Sequence, residues 1–165
     1  MKASKFAIDF EQIVETYAGL VARIASTYEA RHALAEELVQ DIFLAVWRAL
    51  RSFRGDASLK TFVARIAHNV CASHVRREVR RKSELLEESQ LDLAPSAEAD
   101  AHEADARSRM LDAVRALKLP DRQLITLHLE GFSNREIADV LDISEGNAAV
   151  RLTRLRATLK KQVNT

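Results

Sequence analysis

Cysteine is almost absent from this sequence: one cysteine occurs in 165 residues, so no internal disulfide can form, and we expect a reducing compartment. Proline and glycine are also scarce, with two and four residues, and the alternating pattern of a β-strand is nearly missing. These absences exclude disulfide-stapled small domains and turn-rich β architectures. They predict an all-α protein, and a hydrophobic fraction of 47% is enough to give it a buried core.

Long apolar runs are absent as well. No segment approaches the roughly 18 apolar residues that a membrane-spanning helix needs. The N-terminal stretch MKASKFAIDF also lacks the apolar core of a signal peptide. We therefore expect a soluble protein of the cytoplasm, without membrane insertion.

The formal net charge is only +1, which is small for a protein that binds nucleic acid. However, the charges are segregated along the chain. Residues 1–82 contain 14 basic and 9 acidic residues, residues 83–106 contain no basic and 8 acidic residues, and residues 107–165 contain 11 and 7. Two basic segments therefore flank an acidic one, and each segment can have partners that the total charge hides.

Hydrophobic periodicity predicts three helices in the first part of the chain. Asp9 is placed to cap the first helix, and the second covers 33–49. The sequence FRGDAS then breaks the pattern, and Ser58 at its end is placed to cap the third helix. The end of the third helix carries an arginine cluster.

The apolar pattern fails from residue 83 onward, where positive charge is also missing. We interpret residues 83–96 as an acidic linker, with room for short helical turns. The sequence therefore predicts two small helical domains, 1–82 and 97–165, joined by this linker.

The second domain contains the sequence SNREIADVLDISEGNAAVRLTRLR, which begins at Ser133. Ser133 and Glu136 form a capping box for a helix over 134–141, and Ser144 is placed to cap the last helix. Asp142 stands at a turn position that often requires positive φ, which Asp tolerates better than most residues. Two short helices across a tight turn predict a helix-turn-helix.

The last helix is the candidate for the major groove of DNA, because the second helix of this motif enters the groove. Ala138, Ile143, Ala148 and Leu152 are expected to face the core. Arginines on the opposite side would contact phosphates or guanine edges. The candidate DNA contacts are Ser144, Asn147, Ala149, Val150, Arg151, Thr153, Arg154 and Arg156. The alternative is a helical hairpin with a solvated basic face.

Two stretches together carry a family resemblance: AEELVQDIFLAVWRALRSFRGDASLKTFVARIAHNVCASHVRRE, from Ala35 to Glu78, and LPDRQLITLHLEGFSNREIADVLDISEGNAAVRLTRLRATL, from Leu119 to Leu159. They resemble the sigma factors of bacterial RNA polymerase, and the extracytoplasmic-function (ECF) type fits best. Their order, their spacing and the acidic segment between them also match. The resemblance implies that residues 1–82 are sigma region two and residues 97–165 are region four.

The resemblance implies a docking surface for core polymerase on the second helix. The residues that look like this surface are Glu37, Gln40, Asp41, Leu44, Trp47 and Arg48. Trp47 lies off the apolar stripe of its helix, and an exposed aromatic beside charges is typical of an interface hot spot. The alternative is that Trp47 packs on a neighbouring helix.

The loop FRGDAS and the helix after it resemble the part of a sigma factor that opens the −10 promoter element. Opening needs a pocket for an unstacked base and a basic track for the single strand. The candidate residues are Phe53, Lys60, Arg65, Asn69, Arg76, Arg77 and Arg80. Phe62 is a second candidate wall of the pocket, with core packing as its alternative. The alternative for the arginines is a solvated helix end.

His68, Cys71 and His74 recur at every third residue of one helix, which raises the question of a metal site. A structural zinc site needs four ligands, and the sequence has no second cysteine. We therefore predict no metal and no cofactor, with a half-buried Cys71 between two histidines that face the groove. No catalytic motif stands out, so we do not expect an enzyme.

These observations predict a sigma factor that directs transcription initiation through the −10 and −35 elements. The resemblance implies core RNA polymerase, promoter DNA and an anti-sigma factor as partners. It also implies that the acidic linker takes the place of nucleic acid in the polymerase, unless it only adds solubility. The alternatives are a stand-alone helix-turn-helix regulator and a protein-interaction module.

Overall fold

The computed structural model describes residues 8–88 and 104–164. These residues form α-helices and one short 3-10 helix, without a strand among them, which confirms the all-α prediction. The helices are α1 (Phe10–Ser26), α2 (His32–Ala49), the 3-10 helix (Leu50–Ser52), α3 (Leu59–Glu88), α4 (Ala104–Arg115), α5 (Leu119–Leu129), α6 (Asn134–Leu141) and α7 (Glu145–Val163). None of these described helices combines the length and the apolar character needed to cross a membrane.

The contacts divide the chain into two compact units, residues 1–70 and 71–165. The division falls within α3, which continues as a helix through Glu88. Residues 83–88 of the predicted linker thus belong to this helix. They contain neither glycine nor proline, and their residue types favour helix locally. Residues 89–96 of the predicted linker, and residues 97–103 at the start of the predicted second domain, lie outside the described residues.

The first unit is built from α1, α2 and the start of α3. Oδ1 of Asp9 accepts a hydrogen bond of 3.1 Å from the backbone N–H of Glu11, and Oγ of Ser58 accepts one of 3.1 Å from Thr61. Both predicted caps are thus in place. One side of each helix is buried; the apolar residues of this core include Ile13, Leu20, Val21, Ile24, Leu38, Ile42, Val46, Val63, Ala64 and Ala67.

The second unit packs α4, α5 and α6 against α7. Its buried residues include Val114, Leu124, Ile125, Leu127, Phe132, Ile137, Ala148, Leu152, Leu155 and Leu159. The guanidinium of Arg122 in α5 donates to the carbonyl oxygens of Arg115 and Leu117, at and just after the end of α4. Terminal carbonyls that the helix leaves without partners are satisfied in this way, which fixes the corner between α4 and α5.

Candidate functional site

The turn between α6 and α7 has the geometry that the sequence predicts. The capping box is complete: Oγ of Ser133 accepts from the N–H of Glu136, whose carboxylate accepts from the N–H of Ser133. Asp142 adopts φ 54° and ψ 49°, the left-handed conformation, and Ile143 N–H donates to the Ala138 carbonyl. These interactions turn the chain sharply enough to lay α7 across α6.

The packing of α7 confirms its predicted inner side. Ala148 is fully buried and Leu152 is nearly so, as is Ala138 in α6. Small side chains at Ala138 and Ala148 allow the two helices to approach closely. Oγ of Ser144 accepts from Asn147 N–H, so its hydroxyl is engaged as the helix cap.

We call the outer side of α7 the recognition face; it consists of Asn147, Val150 and Arg154. All three residues are exposed, and they share one side because they recur at i, i+3 and i+7. Val150 is 52% exposed, so it adds an apolar group to this otherwise polar face. Ala149 is half-buried and lies on the other flank of the helix.

Two of the predicted DNA contacts are exposed but lie outside these three residues: Thr153 is about 60° and Arg156 about 120° from Val150 around the helix axis. Thr153 and Arg156 border a groove between α4, α5 and α7 that also includes Met110 and Ile125. A DNA contact of Arg156 stays a prediction; this residue lies about 200° from Arg154 around the axis of α7, because two helical positions separate them.

Arg151 has a partner that the sequence does not reveal. Its Nη2 donates to Oδ1 of Asp121, in the first turn of α5, at 2.6 Å. Asp121 is thirty positions away, so no local spacing signals the pair. An acidic residue in a first turn also has an ordinary explanation in the helix dipole, which conceals its second role.

The six residues predicted to dock on polymerase form one exposed side of α2, which we call the α2 face. It lies opposite the buried Leu38, Ile42 and Val46. Leu44 is 45% and Trp47 is 49% exposed, so the prediction of an exposed Trp47 is confirmed. The α2 face consists of Glu37, Gln40, Asp41, Leu44, Trp47 and Arg48.

Trp47 also contacts a residue that sequence analysis missed. The guanidinium carbon of Arg51 lies 5.9 Å from the centroid of the Trp47 ring, within range of a cation–π interaction. Arg51 is one turn further along the chain, in the 3-10 helix, so the spacing alone could have suggested the pair. The contact adds a positive charge beside the exposed indole.

The loop before α3 brings two aromatic rings together. The centroids of Phe53 and Phe62 lie 4.7 Å apart with an angle of 54° between the rings, and both side chains are half-buried. Gly55 between them has φ 80°, which favours glycine. The rings thus form an apolar surface beside an exposed loop.

Most of the predicted −10 residues on α3 lie on one side of that helix. Arg65, Asn69, Arg76 and Arg80 are exposed and recur at i, i+4, i+11 and i+15, which places them along one stripe. We call these four residues the α3 stripe. Arg77 is exposed beside it. Lys60 lies on the opposite side of the helix, so the structure does not bring it together with the others.

The buried side of α3 corrects the prediction for His68 and Cys71. His68 is 1% exposed, and its Nδ1 shares a hydrogen bond of 2.5 Å with the Tyr28 hydroxyl. Cys71 is fully buried, and burial raises the pKa of its thiol to about 12. The prediction of a half-buried Cys71 and a groove-facing His68 is wrong, because both side chains lie on the core side of α3, whereas His74 is half-buried.

The described part of the chain has no cluster of three acidic, histidine or cysteine side chains arranged to hold a metal ion. The candidate surfaces instead carry exposed basic residues on α2, α3 and α7, with the exposed Trp47 on α2. Such surfaces bind polyanions and protein partners.

Two family descriptions match this chain in order. Sigma-70 region 2 matches residues 13–81, and Sigma-70 region 4 matches residues 107–159. The chain belongs to the sigma-70 family. It is a sigma factor of the ECF type, a subunit that binds core RNA polymerase and directs promoter-specific initiation.

Named relatives share this type. The ECF RNA polymerase sigma-E factor of Haemophilus influenzae is 26% identical, with 93% of this chain and 87% of the relative covered. The factor of the same name from Escherichia coli K12 is 28% identical, with 93% and 86% covered.

Solved structures support the fold. The sigma factor RpoE from Bartonella quintana, crystallised with the anti-sigma factor NepR, has a TM-score of 0.76 at 23% identity, with 95% of this chain and 98% of that chain covered. CnrH, in complex with the cytosolic domain of CnrY, has a TM-score of 0.70 at 23% identity, with 94% and 87% covered.

Proposed function

We propose that this sigma factor docks on core polymerase through the α2 face and reads promoters through α3 and α7. The α2 face supports the first part, since it combines two exposed large apolar side chains with charges of both signs. Interface hot spots are enriched in tryptophan, and Arg51 lies over the Trp47 ring. The exposure of Trp47 in the free chain is the observation that carries this proposal.

The −10 element is the proposed ligand of the α3 stripe and the aromatic pair. A track of three arginines suits the phosphates of a separated strand. Phe53 and Phe62 offer a surface on which an unstacked base can pack. Arg77 lies beside the stripe and extends its positive charge. Lys60 lies on the opposite side of α3, so it could contact DNA only near the start of this helix.

The −35 element is the proposed ligand of the recognition face. Asn147 carries donor and acceptor groups for base edges, Arg154 suits a phosphate or a guanine, and Val150 suits a thymine methyl. Ser144 and Ala149 remain candidates for backbone contacts near the start of α7. Arg151 is a further candidate for contact with the −35 element, and it is paired with Asp121.

The same proposal places the chain in the bacterial cytoplasm as a subunit without catalytic activity. It also includes an anti-sigma factor as a partner, in line with the complexes formed by the two structural relatives. Such a partner would compete with polymerase for exposed surfaces of the free chain.

In vitro transcription with purified core polymerase and a promoter library tests this function. We expect initiation to depend on this chain and on two sequence elements of the promoter, one near position −10 and one near position −35. Tight, sequence-specific DNA binding by the chain alone, without stimulation of core polymerase, would support the stand-alone regulator instead. Replacing Arg151 and Arg154 by alanine without any change in promoter use would favour a protein-interaction module.

A further inference from the structure

The pair between Asp121 and Arg151 joins the start of α5 to the edge of the recognition face. The Oδ1–Nη2 distance is 2.6 Å, and the two side chains are 35% and 28% exposed, so water reaches both only in part. Hydrogen bonds between two ionised groups are short and directional. The guanidinium is therefore held in one orientation in the free protein.

Arg151 lies beside the recognition face of α7, so the orientation of its guanidinium affects which DNA groups it can contact. With about 100° per residue, Arg151 lies roughly 40° from Asn147 and 60° from Arg154 around the helix axis. It therefore stands between the buried side of α7 and the recognition face. A guanidinium has five N–H donors, and one Nη2 bond to Asp121 leaves donors for a second ligand.

The charge of Asp121 also changes what Arg151 contributes to DNA binding. An uncompensated arginine attracts phosphates of any sequence, and each phosphate contact makes binding more salt-dependent. A carboxylate at 2.6 Å offsets much of that attraction. It leaves the directional donors in place, and directional donors are what distinguish one base edge from another.

We propose that Asp121 is a positioning residue for −35 recognition, which holds Arg151 so that it discriminates between bases instead of attracting phosphates generally. This inference rests on the proposed function, since it requires α7 to meet the −35 element. Asp121 itself need not touch DNA. Its replacement should reduce sequence discrimination while general affinity for DNA is kept or increased.

The experiment uses the holoenzyme formed with core polymerase and a promoter library randomised over the −35 element, with a fixed −10 element. For Asp121→Asn we expect the preference at one or two base positions to fall by roughly five- to tenfold. On a scrambled −35 element, the slope of log affinity against log salt should steepen by about one. Asp121→Glu, which keeps the carboxylate, should restore part of the preference.

Three comparisons make the outcome decisive. Arg151→Ala should lose preference at the same positions, and the double variant should lose no more than Arg151→Ala alone. The matched control is Asp112→Asn, which breaks an exposed aspartate–arginine pair of 3.1 Å within α4 and should leave the profile unchanged.

Wild-type base preferences in the Asp121→Asn holoenzyme would overturn the inference, and so would a uniform loss at all positions with a lowered melting temperature. Absence of any −35 preference in the wild-type holoenzyme would instead contradict the proposed function. The two failures are therefore distinguishable.

Discussion

Tyr28 and His68, forty positions apart in the sequence, are joined by a buried hydrogen bond of 2.5 Å that connects the second residue after α1 to the core side of α3. Burial lowers the pKa of His68 to about 3, so the folded protein keeps this imidazole neutral. Its Nε2 has no hydrogen-bond partner among the described residues, which adds to the cost of charging the ring.

This burial predicts an acid-sensitive stability. The histidine of the unfolded chain has a pKa near 6.5, whereas in the folded chain the pKa of His68 is about 3. Between these pH values the unfolded chain therefore binds a proton that the folded chain does not bind. The free energy of unfolding should therefore be highest above pH 7 and lower by about 2 kcal/mol at pH 5 from this group. Denaturant titrations at several pH values measure it.

The variant His68→Gln cannot titrate and should show a smaller loss between pH 7 and pH 5 than the wild type. His32→Gln is the control, because the side chain of His32 is 89% exposed. Equal pH dependence in His68→Gln and the wild type would mean that His68 is not the group responsible.

Asp142 predicts a second effect on stability. A β-branched residue in the left-handed conformation is strained, whereas glycine is not. We expect Asp142→Val to lower the free energy of unfolding by about 1–2 kcal/mol, and Asp142→Gly to lower it little or not at all. Thermal denaturation of the two variants compares them directly; similar melting temperatures would contradict a requirement for positive φ at this turn.

Trp47 predicts an effect on assembly. Removing a hot-spot side chain costs about 2 kcal/mol or more, so Trp47→Ala should weaken binding to core polymerase by roughly thirtyfold or more. Competition with a labelled wild-type chain measures the affinity. Leu129→Ala removes an apolar side chain of similar exposure, 50% against 49% for Trp47, outside the α2 face and should bind normally. Normal binding by both variants would remove Trp47 from the proposed docking surface.

Arg154 predicts an effect on promoter choice. Arg154→Ala should reduce initiation by about tenfold at promoters that have the preferred −35 element, because one charged contact to the groove is lost. Arg156→Ala is the matched control, since it removes an arginine from the side of the same helix that borders the groove between α4, α5 and α7. We expect Arg156→Ala to keep the wild-type −35 preference. If only Arg156→Ala changed the preference, the DNA would contact the Arg156 side of α7, which would contradict the proposed recognition face.

Much of the local structure was predictable because it depends on residues within one helical turn. The caps at Asp9, Ser58, Ser133 and Ser144 each involve groups two or three positions apart. The helix-turn-helix follows from such caps and from the spacing of small and apolar residues. The helical extension beyond residue 82 was less clear, because exposed residues of high helix propensity have no apolar stripe to mark them.

The sequence by itself determined the helices, the segregation of charge and the two motifs that identify the family, since each of these is encoded in short-range patterns. Only the tertiary structure decided which polar side chains meet. It placed His68 against Tyr28 and paired Arg151 with Asp121. These outcomes depend on how helices distant in sequence pack together, and the rotation of a packed helix selects which of its side chains become buried.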